Sequence, residues 1–448
     1  MEYGIICLLP SLIIIILALV TRRVVESLFV GVTVAYIIMG GGFKIPFNML
    51  DSLYDVLTDP STQWLFLFTG CFGILIIWLE YVGTIASFAD SLSKYINSRK
   101  KALFITWLMS GLLFIDDYLN TLSAGTAMRR ITDKYGISRE MIAYIVKSTG
   151  ANMCVLVPAS SWYAFMINQM KNVGMDGTIS EYASTIPYMF FPMLSVVIIP
   201  LVIIGVIPMF GGMKKAELRA QGGQPLPDST VAIYGKTDSK EDKKNAHWIN
   251  FLIPMLVLVA VTVINGDILN GAFAGLITCL LLYLPQRFIK LWDMCDQMVS
   301  GFESMVGIFF ILTMTFMLQR ANEALGLPQF VIDSVEPILN AQLLPVVIFL
   351  VVGIIQFCVG SFWGVAAITF PIVIPLAESL DANIPMVTAA LIAAAAFGTQ
   401  ACFFADGVSL ACVGVQIKNS DYASAVLPYV MIPFVLAVIV YLVAGFLF

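Results

Sequence analysis

Apolar residues are gathered into long runs along the chain, and most polar residues lie between those runs. A helix needs about 20 residues to cross the hydrocarbon core of a bilayer. The pattern predicts ten such spans, near residues 4–20, 24–40, 64–80, 140–167, 185–207, 248–264, 268–284, 302–319, 384–416 and 423–447. We therefore expect an all-α polytopic membrane protein, since a transmembrane barrel would show alternating segments of about ten residues.

Two further apolar segments, 102–133 and 343–378, are interrupted half-way, by Asp116-Asp117 and by Gly360-Ser361. Each segment fits either one span followed by a loop or a re-entrant hairpin that enters and leaves on one face. Lysine and arginine discriminate between the two, because cytoplasmic loops carry an excess of both. If both segments are hairpins, most of the 24 basic residues fall on the side of the Arg22-Arg23 loop. We therefore predict two re-entrant hairpins, a cytoplasmic Arg22-Arg23 loop and both termini outside.

A polar stretch at 209–247 separates two halves, 1–208 and 248–448, that resemble each other. Its Gly, Pro, Ser and Lys content is typical of a flexible cytoplasmic linker. The clearest echo between the halves is EYASTIP, which begins at Glu181, against DYASAVLP, which begins at Asp421. Each half has five crossings and one hairpin, and an odd number of crossings turns the second copy over. The sequence predicts two inverted repeats with broken helices at the midplane (140–167 and 384–416), an architecture of secondary transporters.

Composition excludes several other classes of protein. The chain is 59% apolar and 12% charged, whereas a soluble domain is about 45–50% apolar and about 25% charged, so a soluble enzyme is excluded. The net charge of −5 comes with no basic cluster on a soluble domain, and we expect no nucleic-acid partner. Eight cysteines without close paired spacing and a single histidine, His247, predict neither a disulfide framework nor a histidine metal centre. We expect no cofactor, and the lack of a GxxxxGK[ST] loop disfavours an ATP-driven pump.

The first candidate site is the tip of the first hairpin. Two adjacent carboxylates in an apolar segment are costly unless they are paired, protonated or bound to a cation. Asp116 and Asp117 are therefore candidates to hold a proton or to ligate Na⁺, with further oxygens from Asn120, Thr121 and Ser123. In the alternative interpretation, one aspartate simply caps the second helix of the hairpin.

The second candidate site is a break predicted within the span at 140–167. Lys147 is the one basic residue inside a span. It either extends to the cytoplasmic face or pairs with Asp116, Asp117 or a substrate carboxylate. The neutral candidates are the ion ligands Ser148, Thr149 and Asn152, the solute ligands Ser160 and Ser161, and the helix-breaking hinges Gly150 and Pro158. The plainer interpretation is a kinked helix whose hydroxyls bond back to the preceding turn.

The corresponding region of the second half contains one acid, Asp406. The solute ligands proposed there are Ser361, Thr369, Thr399, Gln400 and Ser409, and the hinges are Gly360, Gly398 and Gly407. Because the second hairpin tip has no acid, the two half-sites differ in chemistry. Either one binds the coupling ion and the other a polar solute, or only the first is used.

The blocks FIDDYLNTLSAGTAMRRITD, beginning at Phe114, and ISREMIAYIV, beginning at Ile137, resemble the NhaC-type Na⁺/H⁺ antiporter family of the ion transporter superfamily. The resemblance covers most of the chain and implies inverted repeats, re-entrant hairpins and an elevator-like motion in a homodimer. Two departures concern the site. Lys147-Ser148-Thr149 stands where the family often has Asp-Ser-Thr, and in the second half only Asp406 remains of an Ser-Pro-Ile-Ser-Asp-Thr-like motif.

Together, the residues and the resemblance favour a Na⁺/H⁺ antiporter of the bacterial cytoplasmic (inner) membrane. Asp116 and Asp117 would be the titrating Na⁺ ligands, with Asp406 in the second half-site. The alternative is a Na⁺- or H⁺-coupled carrier of a small carboxylate or amino acid, because relatives in this group are thought to move such solutes and Lys147 would anchor the anion. A channel or a membrane anchor fits broken helices less well.

Overall fold

The computed structural model describes residues 3–21, 24–40, 42–93, 95–114, 116–158, 160–234, 247–265, 267–303, 305–327, 329–330, 340–360 and 362–447. These residues form helices, turns and connecting segments, and no strand occurs among them. Together with the apolar character of many helices, this is the fold of a polytopic helical membrane protein, as the sequence predicts.

The helices of the first half follow one another with short breaks. They are α1 (Leu9–Thr21), α2 (Val24–Ile38), α3 (Ile45–Thr58), α4 (Pro60–Tyr81), α5 (Thr84–Ser93), α6 (Arg99–Leu112), α7 (Asp117–Lys134), α8 (Arg139–Leu156), α9 (Ser161–Asn172), α10 (Ile179–Thr185) and α11 (Phe190–Ile204). Two helices follow in the polar segment, α12 (Gly211–Gln221) and α13 (Asp228–Tyr234).

The second half contains α14 (Ile249–Asn265), α15 (Ile268–Tyr283), α16 (Leu291–Glu303), α17 (Val306–Ala324), α18 (Leu344–Val359), α19 (Phe362–Ser379), α20 (Ile384–Ala401), α21 (Asp406–Val415) and α22 (Asn419–Leu447). Short 3-10 turns lie at Gly4–Leu8, Gly42–Lys44 and Ile186–Tyr188.

Four of the described helices are long and apolar enough to cross a membrane on their own: Thr62–Tyr81, Phe362–Ser379, Ile384–Ala401 and Asn419–Leu447. Ile179–Tyr188 and Phe190–Ile204 reach that length together, with a bend of 59° between them. Six shorter apolar helices occur besides these. The chain is therefore a multi-pass membrane protein, and the ten full spans stay a prediction.

The protein interior is built around α8 and α20. Every residue of α20 from Met386 to Ala401 is buried, and so is α8 from Arg139 to Asn152. Four consecutive alanines in α20 (393–396) present little side-chain bulk, which lets neighbouring helices approach closely. Helix α18 packs along α20, and α7 packs against both α8 and α21.

The helix breaks lie elsewhere than two of the predicted hinges. Helix α8 continues through Gly150 and stops at Leu156, before Pro158, and α20 continues through Gly398 to Ala401. The prediction of a break at Gly150 was wrong, because one glycine inside a helix costs only about 1 kcal/mol. The hinge role of Gly398 stays a prediction. Gly150 instead provides room for a crossing side chain: a Cβ there would lie 2.7 Å from Cγ of Asn120.

The polar segment 209–247 is not wholly the flexible linker that its composition suggests. Residues 211–234 contain α12 and α13, and Met213, Ala216 and Glu217 of α12 are buried. The carboxylate of Glu217 accepts hydrogen bonds from the backbone N–H and the hydroxyl of Ser138, at 3.0 and 2.7 Å. These contacts dock α12 on the beginning of α8. Residues 235–246 lie outside the described part of the chain.

Candidate functional site

A buried ion pair joins α7 to α8. The Lys147 ammonium contacts Oδ2 of Asp117, and the two side chains are 0% and 1% exposed. Asp117 is the first residue of α7, directly after a break in the helical chain, and Lys147 lies in the middle of α8. Lys147 therefore does not extend to the surface. Of the partners open to it in the sequence, it pairs with Asp117.

A second buried carboxylate lies at the start of α21. Asp406 is 3% exposed, and its Oδ1 accepts a hydrogen bond from the N–H of Gly407 at 2.6 Å. Its Oδ2 accepts one from the hydroxyl of Tyr118 at 2.7 Å. Because Tyr118 follows Asp117 in α7, this bond ties the two halves of the chain together at the site.

Gly407 brings the second carboxylate up to the ion pair. A Cβ added to Gly407 would lie 2.9 Å from Oδ2 of Asp117 and would overlap the Lys147 ammonium. Glycine is therefore required here for close approach rather than as a break, since α21 continues beyond it. Asp117, Lys147 and Asp406 form one buried group of charges, which we call the charge triad.

Asp116 has a different position from its neighbour. It is the N-cap of α7, and its Oδ1 accepts hydrogen bonds from the N–H groups of Tyr118 and Leu119 at 2.8 and 3.2 Å. This is the capping geometry that stabilises helix N-termini. The two adjacent aspartates, taken in the sequence as one pair of Na⁺ ligands, therefore do different work: Asp116 caps the helix and Asp117 binds Lys147.

Several buried oxygens around α7 and α8 lack a hydrogen-bond partner among the described residues. They are Oδ1 of Asp117, the hydroxyls of Ser123 and Ser148, and Oγ1 of Thr149. An unsatisfied buried polar atom costs about 1–3 kcal/mol, so these oxygens are candidate ligands for a water or a cation. A group of three or more Asp, Glu, His or Cys side chains able to hold a metal ion does not occur in the described part of the chain.

Two amides connect the helices around the triad. Nδ2 of Asn152 in α8 donates to the carbonyl of Ser148, and its Oδ1 accepts from Nε2 of Gln400 in α20, at 2.6 and 3.1 Å. Oδ1 of Asn120 accepts from the hydroxyl of Ser110 in α6 at 2.7 Å. These amides hold the helices in register.

The remaining predicted ligands satisfy one another or their own helices. Thr121, Thr369, Thr399 and Ser409 donate to carbonyls three or four residues earlier, at 2.7–3.0 Å. Ser160 caps α9 and accepts from the N–H of Tyr163 at 3.0 Å. Gly360 ends α18 in the left-handed region, with φ of 78°. Nothing is described for Ser361 or for the side chain of Ser161.

The structure adds residues that the sequence did not single out. Nε1 of Trp363, at the start of α19, donates to the Tyr118 hydroxyl at 3.2 Å. Gln356 of α18 is fully buried, and neither polar atom of its amide has a partner in the described ranges. The sequence could have identified Gln356, because it is the single amide side chain within the apolar helix LPVVIFLVVGIIQFCV. Tyr118 and Trp363 had no such signal.

Comparison with known proteins assigns the chain to a family. The model of the Na⁺/H⁺ antiporter family matches residues 153–446. The chain belongs to the Na⁺/H⁺ antiporter family. This confirms the resemblance to the NhaC-type family and identifies a membrane transporter. The matched region contains Asp406, whereas Asp117 and Lys147 precede it.

Two individual proteins also show some similarity to the chain. An uncharacterized protein of Haemophilus influenzae (strain ATCC 51907 / DSM 11121 / KW20 / Rd) is 25% identical over 479 residues, which cover 98% of this chain and 90% of that protein. The solved structure of Neisseria gonorrhoeae MtrF, reported as illuminating a class of antimetabolite efflux pumps, is 12% identical. It has a TM-score of 0.36 and covers 91% of this chain and 84% of that one.

Proposed function

We propose that this antiporter-family protein exchanges Na⁺ for H⁺ across the membrane by secondary active transport, and that the charge triad is the exchange site. The observation that carries the proposal is the composition of the triad, with two carboxylates and one ammonium buried together. Asp117 and Lys147 neutralise each other, and the charge of Asp406 is left over.

An unbalanced charge in the protein interior is strongly unfavourable. Two hydrogen bonds, from Tyr118 and from the N–H of Gly407, stabilise the ionised Asp406 only in part. One proton or one Na⁺ neutralises it completely. Since either ion neutralises the same carboxylate, each displaces the other. Mutually exclusive binding of H⁺ and Na⁺ is the condition for antiport. Oδ1 of Asp117, which lacks a partner among the described residues, offers a second carboxylate oxygen to the ion.

Matching helices support the proposal of two repeats. Helices α7 and α19 both have 18 residues, and so do α8 and α20. The second member of each pair begins 245 residues after the first, at 362 against 117 and at 384 against 139. Tyr182 donates to the carbonyl of Val155, the penultimate residue of α8, at 2.7 Å. Tyr422 donates to the carbonyl of Gln400, the penultimate residue of α20, at 3.0 Å.

We propose accordingly that α6–α7 and α18–α19 are the two re-entrant hairpins, and that α8–α9 and α20–α21 are the two broken helices of inverted repeats. In such folds the ions bind where broken helices end, near the midplane. Asp117 and Asp406 are each the first residue of a helix, where the positive end of the helix dipole favours a carboxylate. Elevator-like alternating access, a homodimer, the bacterial inner membrane and outside termini belong to the same proposal.

The carboxylate or amino-acid carrier receives less support. In that alternative Lys147 anchors a substrate anion, but its ammonium is already bound to Asp117 in the protein interior. A substrate anion would have to displace the Asp117 carboxylate, which belongs to the same chain as Lys147.

The test is Na⁺-driven proton movement in proteoliposomes. We expect Na⁺ added outside vesicles with an acidic lumen to raise the lumenal pH without any organic solute. Asp406→Asn should abolish this movement, because the side chain no longer needs a proton or Na⁺. Asp51→Asn is the matched control, since Asp51 is an exposed acid on α3. Uptake of a labelled carboxylate with no Na⁺-driven proton movement would overturn the proposal.

A further inference from the structure

The hydroxyl of Tyr118 lies at the point where the two halves of the site meet. It donates to Oδ2 of Asp406 in α21 at 2.7 Å and accepts from Nε1 of Trp363 in α19 at 3.2 Å. Tyr118 itself is 4% exposed. One hydroxyl thus touches the second carboxylate and the start of the second helix of the α18–α19 pair.

The direction of these bonds is fixed by chemistry. A tryptophan Nε1–H is a donor only, and a phenol has one proton to donate. Because Trp363 occupies a lone pair of the phenol oxygen, the phenol proton is directed at Asp406. The carboxylate is also fixed from its other side by the rigid backbone N–H of Gly407. Tyr118 is therefore the adjustable donor to Asp406, and Trp363 sets its orientation.

The strength of the Tyr118 bond depends on the charge of Asp406. A hydrogen bond to an ionised carboxylate is roughly twice as strong as one between neutral groups. The chain from Trp363 through Tyr118 to Asp406 is consequently strong when Asp406 is empty and ionised. It is weaker when a proton or Na⁺ neutralises the carboxylate.

We propose that Tyr118 is a positioning residue that couples the occupancy of Asp406 to the α18–α19 pair through Trp363. This inference rests on the proposed exchange at Asp406. In the empty site the hydrogen-bond chain holds Trp363 at the start of α19. When an ion binds, the chain loosens and α19 is freed to move relative to α7.

Several other groups also face Asp406 and contribute to its proton affinity. Asp117 and Tyr118 approach it from α7, Lys147 from α8, and Cys402 from the end of α20. Arg320 of α17 and Asp421 of α22 pair elsewhere, with Asp55 and Asp59 and with Ser229. Tyr118 is the group in this set whose hydroxyl can be deleted without changing a charge.

The experiment is a pH titration of the reconstituted, Na⁺-free protein by infrared difference spectroscopy, following the carbonyl band that Asp406→Asn removes. Loss of the Tyr118 donor makes the carboxylate hold its proton more tightly. We expect Tyr118→Phe to move the midpoint about one pH unit higher, a tenfold change in proton affinity. Trp363→Phe should move it the same way by less. In the Tyr118→Phe background, Trp363→Phe should add nothing.

The matched control is Tyr441→Phe, which removes an equally short, partly buried hydrogen bond of 2.7 Å, to the carbonyl of Tyr188. It should leave the midpoint unchanged. An unshifted midpoint in Tyr118→Phe, or additive shifts in the double variant, would overturn the inference. The titration needs no transport. A shift in Tyr118→Phe, with wild-type vesicles that show no Na⁺-driven proton movement, would support the positioning role and refute the proposed exchange.

Discussion

The two carboxylates of the charge triad begin helices in the same way but differ in what surrounds them. Asp117 follows a side-chain cap, Asp116, and contacts a lysine. Asp406 follows Ala405, which provides no side-chain cap, and its bonds come from one hydroxyl and one backbone N–H. The first carboxylate therefore contacts a full opposite charge directly, whereas the groups that hydrogen-bond to the second are dipoles.

This difference suggests a division of labour between two similar helix starts. A carboxylate paired with lysine is already neutralised, whereas a carboxylate that only accepts hydrogen bonds still attracts a cation. We therefore expect Asp406 to bind and release the exchanged ion. Asp117 and Lys147 provide the fixed surroundings in which a single uncompensated charge remains.

The largest effect is expected from deleting the lysine. Lys147→Ala leaves Asp117 charged and unpaired in the protein interior, which costs about 3–5 kcal/mol of unfolding free energy. Denaturant unfolding in detergent measures it. The compensating variant Lys147→Met with Asp117→Asn should recover most of that stability. If Lys147→Ala is as stable as wild type, the pair does not hold the first half-site together.

A smaller loss of stability is expected when a side chain fills the space between the two half-sites. Gly407→Ala adds a Cβ 2.9 Å from Oδ2 of Asp117, and overpacking of this kind costs about 1–3 kcal/mol. Exchange should fall as well, because Asp406 is pushed from the pair. Gly307→Ala in α17 is the control, since a Cβ there meets nothing within 4 Å. Equal unfolding midpoints for the two variants would contradict the close approach.

The hydrogen bond between the amides of α8 and α20 should contribute less to stability than either of these features. Asn152→Ala removes the acceptor for Nε2 of Gln400, and a typical hydrogen bond contributes about 0.5–1.5 kcal/mol. Asn250→Ala breaks a similar amide contact with Gln286, 2.9 Å long. Both should lower the unfolding temperature, but only Asn152→Ala should slow exchange. Unchanged exchange in Asn152→Ala would remove this link from the site.

The smallest effect is expected at Asp116, the neighbour of Asp117. Asparagine caps a helix about as well as aspartate, so Asp116→Asn should change stability by a few tenths of a kcal/mol and keep exchange in vesicles. Asp117→Asn should abolish exchange, because Lys147 is then unpaired and repels a cation. If the two variants behave alike, the aspartates act as one pair and the contrast between cap and ion partner fails.

The sequence predicted some residues of this site and not others. The charged residues Asp117, Lys147 and Asp406 were candidates because an ionisable group in an apolar run needs a partner. The cap at Asp116 was foreseen as an alternative, since capping depends on residues only two or three positions away. The continuity of α8 through Gly150 was not foreseen, because a glycine that makes room for Asn120 looks in the sequence like a glycine that ends a helix.

By itself the sequence determined that the chain is helical and lies in a membrane, because the length and apolar character of its runs admit little else. It also indicated that Asp117, Lys147 and Asp406 are buried, but it did not indicate the burial of Arg129, Arg139 and Glu140. The tertiary structure decided their partners: Lys147 and Asp117 are 30 residues apart, and Tyr118 and Asp406 are 288 apart. Helix periodicity relates only residues a few positions apart. Contacts over such separations depend on how α7, α8 and α21 cross, which no local pattern records.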